Sequence, residues 1–179
     1  MTRYILIRLA ACLLLLWSLT VLARAETHVF CGLGDALFCQ PMQQFAKKTG
    51  GKVHYFWQWR AVANDLARRK PKNIRLAGHS CGGSAALWTA EYLHARGVRV
   101  QKLLAFDSAR IFCNTPPTPP NVAQARCIRQ DGILGGGWCS GRNTKTVTRN
   151  DLNHMTVGSD PGVQGAGSAF FGHPTPFRP

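Results

Sequence analysis

The chain has 179 residues, with 22 Lys and Arg against 8 Asp and Glu, a net charge of +14. That is enough chain for one domain with a sizeable core, and so positive a field attracts anionic surfaces in general. No aromatic-interleaved basic motif, paired metal-ligand spacing of Cys or His, phosphate loop or dinucleotide loop occurs, so neither specific nucleic acid nor a metal or other cofactor is expected.

Arg3 and Arg8 flank the start of an apolar block from Leu9 to Leu22 that ends at Ala23-Arg24-Ala25, the pattern of a signal peptide cleaved after Ala25. The block is shorter than the roughly 20 residues that span a bilayer. Leu9-Ala10-Ala11-Cys12 resembles a lipoprotein box, but the apolar run follows the cysteine instead of preceding it. Cleavage would leave residues 26–179 as a single secreted or periplasmic domain with 19 basic residues against 8 acidic. Its six cysteines, Cys31, Cys39, Cys81, Cys113, Cys127 and Cys139, suggest disulfides in such a compartment. Cys31–Cys39 and Cys113–Cys127 are close in sequence and would each close a loop, with Cys81–Cys139 left by elimination; buried thiols are the alternative.

Thr27 to Cys31 reads as a strand ending in the turn Gly32-Leu33-Gly34-Asp35. Pro41 suits the first position of a helix in which Phe38, Met42 and Phe45 share a face, up to Gly50-Gly51. From Lys52 to Trp59 the residues Val53, Tyr55, Trp57 and Trp59 alternate as in a strand, and a helix over about 60–69 follows. Asn73 to Ala77 is a further strand, with Arg75 near its exposed beginning. Ala86, Ala90 and Leu93 then hold helical spacing up to Gly97, and Val98 to Phe106 is the next strand, ending at Asp107. Beyond Ser108 the proline-rich 116–120 stretch breaks regular structure; Ala125 to Gln130 reads as a short strand, Gly135 to Gly137 as a flexible turn and Lys145 to Arg149 as an edge strand. Alternating strands and helices predict an α/β fold with a mostly parallel sheet and its chemistry at the carboxyl ends of the strands.

Gly78-His79-Ser80-Cys81-Gly82 fits G-x-S-x-G between a strand and a helix, where small flanking residues let the two arms pass and the helix N-terminus favours developing negative charge. On these residues the chain resembles the α/β-hydrolase superfamily, particularly its small secreted bacterial lipase- and esterase-like members. The resemblance implies a minimal three-layer sandwich without a cap domain and a serine nucleophile, Ser80. It also implies an acid and a base following in chain order. Asp107 is the first choice for the acid, with Asp131 and Asp151 as alternatives, and His154 is the base, with His173 as rival. His79 is expected to point elsewhere, and His28, His54 and His94 to be surface or core residues. Cys81 and either Gly32 or Leu33 would supply oxyanion N–H groups. The implied function is hydrolysis of small-molecule or lipid carboxylic esters or thioesters through an acyl-enzyme. The alternative is an inactive hydrolase fold that binds an anionic envelope surface. Oligomeric state is left open.

Overall fold

From Leu103 to Phe106 both faces of a central strand are apolar, as a parallel sheet covered on two sides requires. The computed structural model describes residues 25–33, 35–137 and 139–173; the signal-peptide expectation, apart from Ala25, and Gly34 lie outside them. In chain order the elements are β1 (Glu26–Cys31), α1 (Asp35–Thr49), β2 (Lys52–Tyr55), a 3-10 turn (Phe56–Gln58), α2 (Trp59–Arg69), β3 (Ile74–His79), α3 (Cys81–His94), β4 (Val100–Phe106), β5 (Val122–Arg129), β6 (Thr144–Thr148) and α4 (Pro161–Phe170). The strands form one parallel sheet in the order β2-β1-β3-β4-β5-β6.

Alternation along β4 shows how the layers form. Leu103 and Ala105 join the core under α2 and α3, whereas Leu104 and Phe106 join the core under α1 and α4. All four are at most 1% exposed. Each fully buried Leu or Phe contributes about 1.5–3 kcal/mol relative to exposure, so β4 alone fixes both layers to the sheet. The chain runs outward from β1 to β2 and then crosses to β3 on the other side of β1, so the strand order reverses between β1 and β3. A crevice opens at such a switch point beyond the strand ends.

Several boundaries differ from the sequence reading. Pro41 lies inside α1 rather than at its start. The disulfide Cys31–Cys39 ties the first turns of α1 to the end of β1, holding helix ahead of the proline. The alternation from 52 to 59 is strand only as far as Tyr55, and Trp59 already begins α2. Because β2 is an edge strand, Val53 and Tyr55 stay exposed, and Tyr55 stacks on Trp57 at 4.8 Å. Arg75 is half-buried and belongs to a basic row across adjacent strands, paired in register with Lys102. The row meets the carboxyl end of α4: Lys102 Nζ donates to the Phe170 carbonyl at 2.6 Å and Arg126 to that of Ala166 at 3.5 Å. Cations there complement the helix dipole, which explains basic side chains on central strands.

The other two disulfides are Cys81–Cys113 and Cys127–Cys139, correcting the expected Cys113–Cys127 and Cys81–Cys139. Cys113 lies in the loop after β4, over the start of α3, and packs with Cys81 and Ala109. Cys127 is within β5 and joins the opposite end of the loop that follows it. Among the described residues no helix is long and apolar enough to cross a membrane.

Candidate active site

The turn between β3 and α3 is built around two glycines. A Cβ at Gly78 would collide with the backbone of Gly82, and one at Gly82 with the Phe30 carbonyl of β1, so the two arms pass at a separation that only glycine allows. Between them Ser80 is held at φ 57° and ψ −128°, a strained conformation for a residue with a side chain. Its N–H donates to the Phe106 carbonyl at 3.0 Å. Ser80 thereby stands at the N-terminus of α3, at the switch point of the sheet.

Asp107 follows β4, also at positive φ (43°), and is fully buried. His154 comes from the loop between β6 and α4. Asn153 shapes that loop, its Oδ1 accepting from the N–H groups of Met155 (2.9 Å) and Thr156 (3.0 Å). The three side chains form one hydrogen-bonded row. His154 Nδ1 lies 2.7 Å from Asp107 Oδ2, and His154 Nε2 lies 3.0 Å from Ser80 Oγ. A carboxylate accepts only, so Nδ1 carries the proton and Nε2 is left to accept from the serine hydroxyl.

Burial alone would raise the Asp107 pKa; hydrogen bonds from His154, Gly136 N–H (2.8 Å) and Gln130 outweigh it and hold the carboxyl below its ordinary value. Gln130 contributes both its N–H (3.2 Å) and its side-chain amide (3.0 Å). A Cβ at Gly135 would collide with the same carboxylate. The Gly135 to Gly137 run, read as a flexible turn, is therefore a buried cradle for Asp107.

The other candidates lie elsewhere. Asp131 is exposed and bonded to Arg129 and Asn150, and Asp151 is exposed and paired with Arg149. His173 meets Arg75 at 3.2 Å near the carboxyl end of α4 and its N–H is bonded to the Ser168 carbonyl, so it is not part of the Ser80 row. His28 is buried against His54, and His94 is exposed. Gly32 lies against the serine: a Cβ there would sit 2.9 Å from Ser80 Cβ and 3.4 Å from Oγ. Leu33 and Cys81 line a pocket of about 140 Å³ beside Ser80 and His154, with Ala109, Phe112, Leu134 and Met155 completing its wall.

His79 does not point away from the site. Its Nε2–H donates to the His154 carbonyl at 2.8 Å, its ring lies 4.9 Å from the His154 ring, and Gly158 packs on its other atoms. The sequence signal was its place inside the turn, where every side chain is near the nucleophile. Burial first, and then the neighbouring His154, push its pKa down to about 4. Between pH 6.5 and 4 the unfolded chain therefore binds a proton that the folded chain refuses, so stability falls with pH across that window, by at most about 3 kcal/mol. His79→Gln keeps a donor for the His154 carbonyl and lacks the titration. Thermal melts at pH 7 and pH 4.5 should show a smaller acid-induced drop for the variant than for the parent. The drop shrinks without vanishing, because burial and His28 also lower His54 to about 4.

The parallel sheet, the helices on both faces and the strained turn at the switch point define the α/β-hydrolase fold. A protein from Xanthomonas campestris pv. campestris described within the alpha/beta superfamily of hydrolases shares it, at a TM-score of 0.53 and 15% identity, covering 83% of this chain and 96% of that one. The thioesterase domain of Vlm2 aligns over 85% of this chain and 96% of its own, at 11% identity and a TM-score of 0.49. The sequence matches no protein-family profile and no curated protein.

Proposed function

We propose that the chain is an exported serine hydrolase that cleaves carboxylic esters or thioesters through an acyl-enzyme on Ser80. The observation that carries this reading is the continuous row from Asp107 through His154 to Ser80, with contacts of 2.7 and 3.0 Å. A serine hydroxyl is a weak nucleophile until a positioned base takes its proton. His154 Nε2 accepts that proton as Oγ bonds to the substrate carbonyl carbon, and buried Asp107 stabilises the imidazolium. The negative oxygen is held by the N–H of Cys81 and one from Gly32 or Leu33, each such donor contributing about 3 kcal/mol in comparable sites. His154 then returns the proton to the departing alcohol or thiol, and water, activated by the same base, releases the acid.

The test is labelling of oxidised, folded protein with a fluorophosphonate, which phosphonylates an activated serine. The parent is expected to label while Ser80→Ala and His154→Ala do not. Turnover of a short-chain ester should fall by about 10⁴–10⁶-fold in Ser80→Ala. A folded parent that neither labels nor turns over any ester would replace this reading with a binding module for anionic envelopes.

A further inference from the structure

Among the described residues nine large apolar or aromatic side chains are strongly exposed, and their distribution is uneven. Val53, Tyr55 and Trp57 follow the edge strand. The other six, Leu33, Ile111, Phe112, Ile133, Leu134 and Met155, come from the loops after β1, β4, β5 and β6, which are four separate segments at the same end of the sheet. Four of them line the Ser80 pocket. Ile111 (56% exposed) and Ile133 (82% exposed) do not line it; Ile133 lies instead on a neighbouring cavity of about 500 Å³ that it shares with Leu134 and Met155. Together the six extend the pocket wall outward as an apolar collar, and contiguous exposed apolar surface on a polar molecule marks a place where something else is bound.

The charges around the collar indicate what covers it. Arg110 is exposed between the pocket residue Ala109 and Ile111. The two exposed carboxylates at this end, Asp131 and Asp151, are each matched by an arginine, Arg129 and Arg149. Among the described side chains the collar thus carries no unmatched acid from these segments, within a chain of net charge +14. Whatever sits on the collar also closes the mouth of the pocket. An occupant that brings the ester with it leaves the site working, whereas a protein seated there would block it.

We propose that the collar docks on an anionic lipid bilayer, from whose surface an acyl ester enters the Ser80 pocket. Ile111 and Ile133 insert among the acyl chains and Arg110 meets the headgroups. This rests on the hydrolase reading for the origin of the substrate, but docking itself needs no turnover and can be measured without it.

The experiment is sedimentation of the full folded chain carrying Ser80→Ala with vesicles of phosphatidylcholine alone and of phosphatidylcholine mixed with phosphatidylglycerol. The expected result is binding to the mixed vesicles, weakened at least about tenfold when Ile111→Ser and Ile133→Ser are added. With Ser80 intact, the same two serine substitutions should leave hydrolysis of a water-soluble short-chain ester at the parent rate. No sedimentation of Ser80→Ala would overturn the proposal, as would sedimentation that the two substitutions leave unchanged. So would gel filtration showing that the collar instead joins two copies of the chain, a dimer that the same substitutions dissociate. Failure of the parent to hydrolyse the soluble ester bears on the hydrolase reading and leaves the sedimentation result standing.

Discussion

Asp107→Asn is expected to lower kcat by about 10³–10⁴-fold while leaving KM within a few-fold of the parent. The carboxylate is fully buried and accepts from His154, Gly136 and Gln130, so four donors converge on two oxygens. Asparagine replaces one of those oxygens with an NH₂ group. If that group takes the place of Oδ1, it faces the backbone N–H groups of Gly136 and Gln130, donor meets donor in a buried site, and such an unmatched pair costs about 1–3 kcal/mol. If it faces His154, it donates to Nδ1 and drives the imidazole proton to Nε2. The nitrogen beside Ser80 Oγ then cannot accept. The second orientation removes the base and also sets the group against the Gln130 side-chain amide; the first leaves an oxygen for His154 Nδ1–H and removes only the charge that stabilises the imidazolium. Steady-state kinetics on a soluble ester, run beside a thermal melt, separates them. Unchanged kcat would mean that Asp107 holds His154 for structural reasons alone and that the acid lies elsewhere.

Gly78→Ala should be severely damaging, at about 3–5 kcal/mol of stability and a fall of about 10 °C or more in Tm. The added carbon would meet only backbone, the Gly82 carbonyl and the Gly83 nitrogen, and none of these atoms can rotate aside. Relief requires β3 to part from α3, which in turn disturbs the approach of Gly82 to β1. Ser80 is held at positive φ only by that double approach, so the variant should lose fluorophosphonate labelling even in the fraction that remains folded. Circular dichroism melts and labelling of the soluble fraction check the two halves of this expectation.

What could be read from the sequence was what depends on neighbours in the chain. The turn at Ser80 declared itself because glycine spacing, strand and helix are contiguous, and β4 declared itself by the apolar run from Leu103 to Phe106 with a carboxylate at its end. What depended on the sheet order was not legible. Cys113 and Cys127 are close along the chain, yet one sits over the start of α3 and the other within β5; nothing local distinguishes their partners. The stretch from Lys52 to Trp59 alternates like a strand throughout, but only tertiary context ends β2 at Tyr55 and begins a helix at Trp59. A run of three glycines looks like slack, and only the fold brings Asp107 against it. His79 was misjudged for the same reason, since its partner is the carbonyl of a residue 75 positions away.

The loops after β1, β4 and β5 that flank the row from Asp107 to Ser80 are each held by a disulfide, whereas the loop that carries His154 has none. Cys31–Cys39 spans Gly32 and Leu33, and Cys127–Cys139 spans Gln130 and the glycine cradle. Cys81–Cys113 ties the residue after the serine to the loop that carries Ala109 and Phe112. Among the described residues no disulfide joins one strand of the sheet to another. Closing loops of this length lowers the entropy of the open chain by an amount equivalent to about 3 kcal/mol each, and that gain falls on the site rather than on the scaffold. Newly made chain with its thiols still reduced would therefore hold the sheet yet remain latent. If the chain is the exported hydrolase proposed above, oxidation would be the arming step, reached in a compartment where thiols pair.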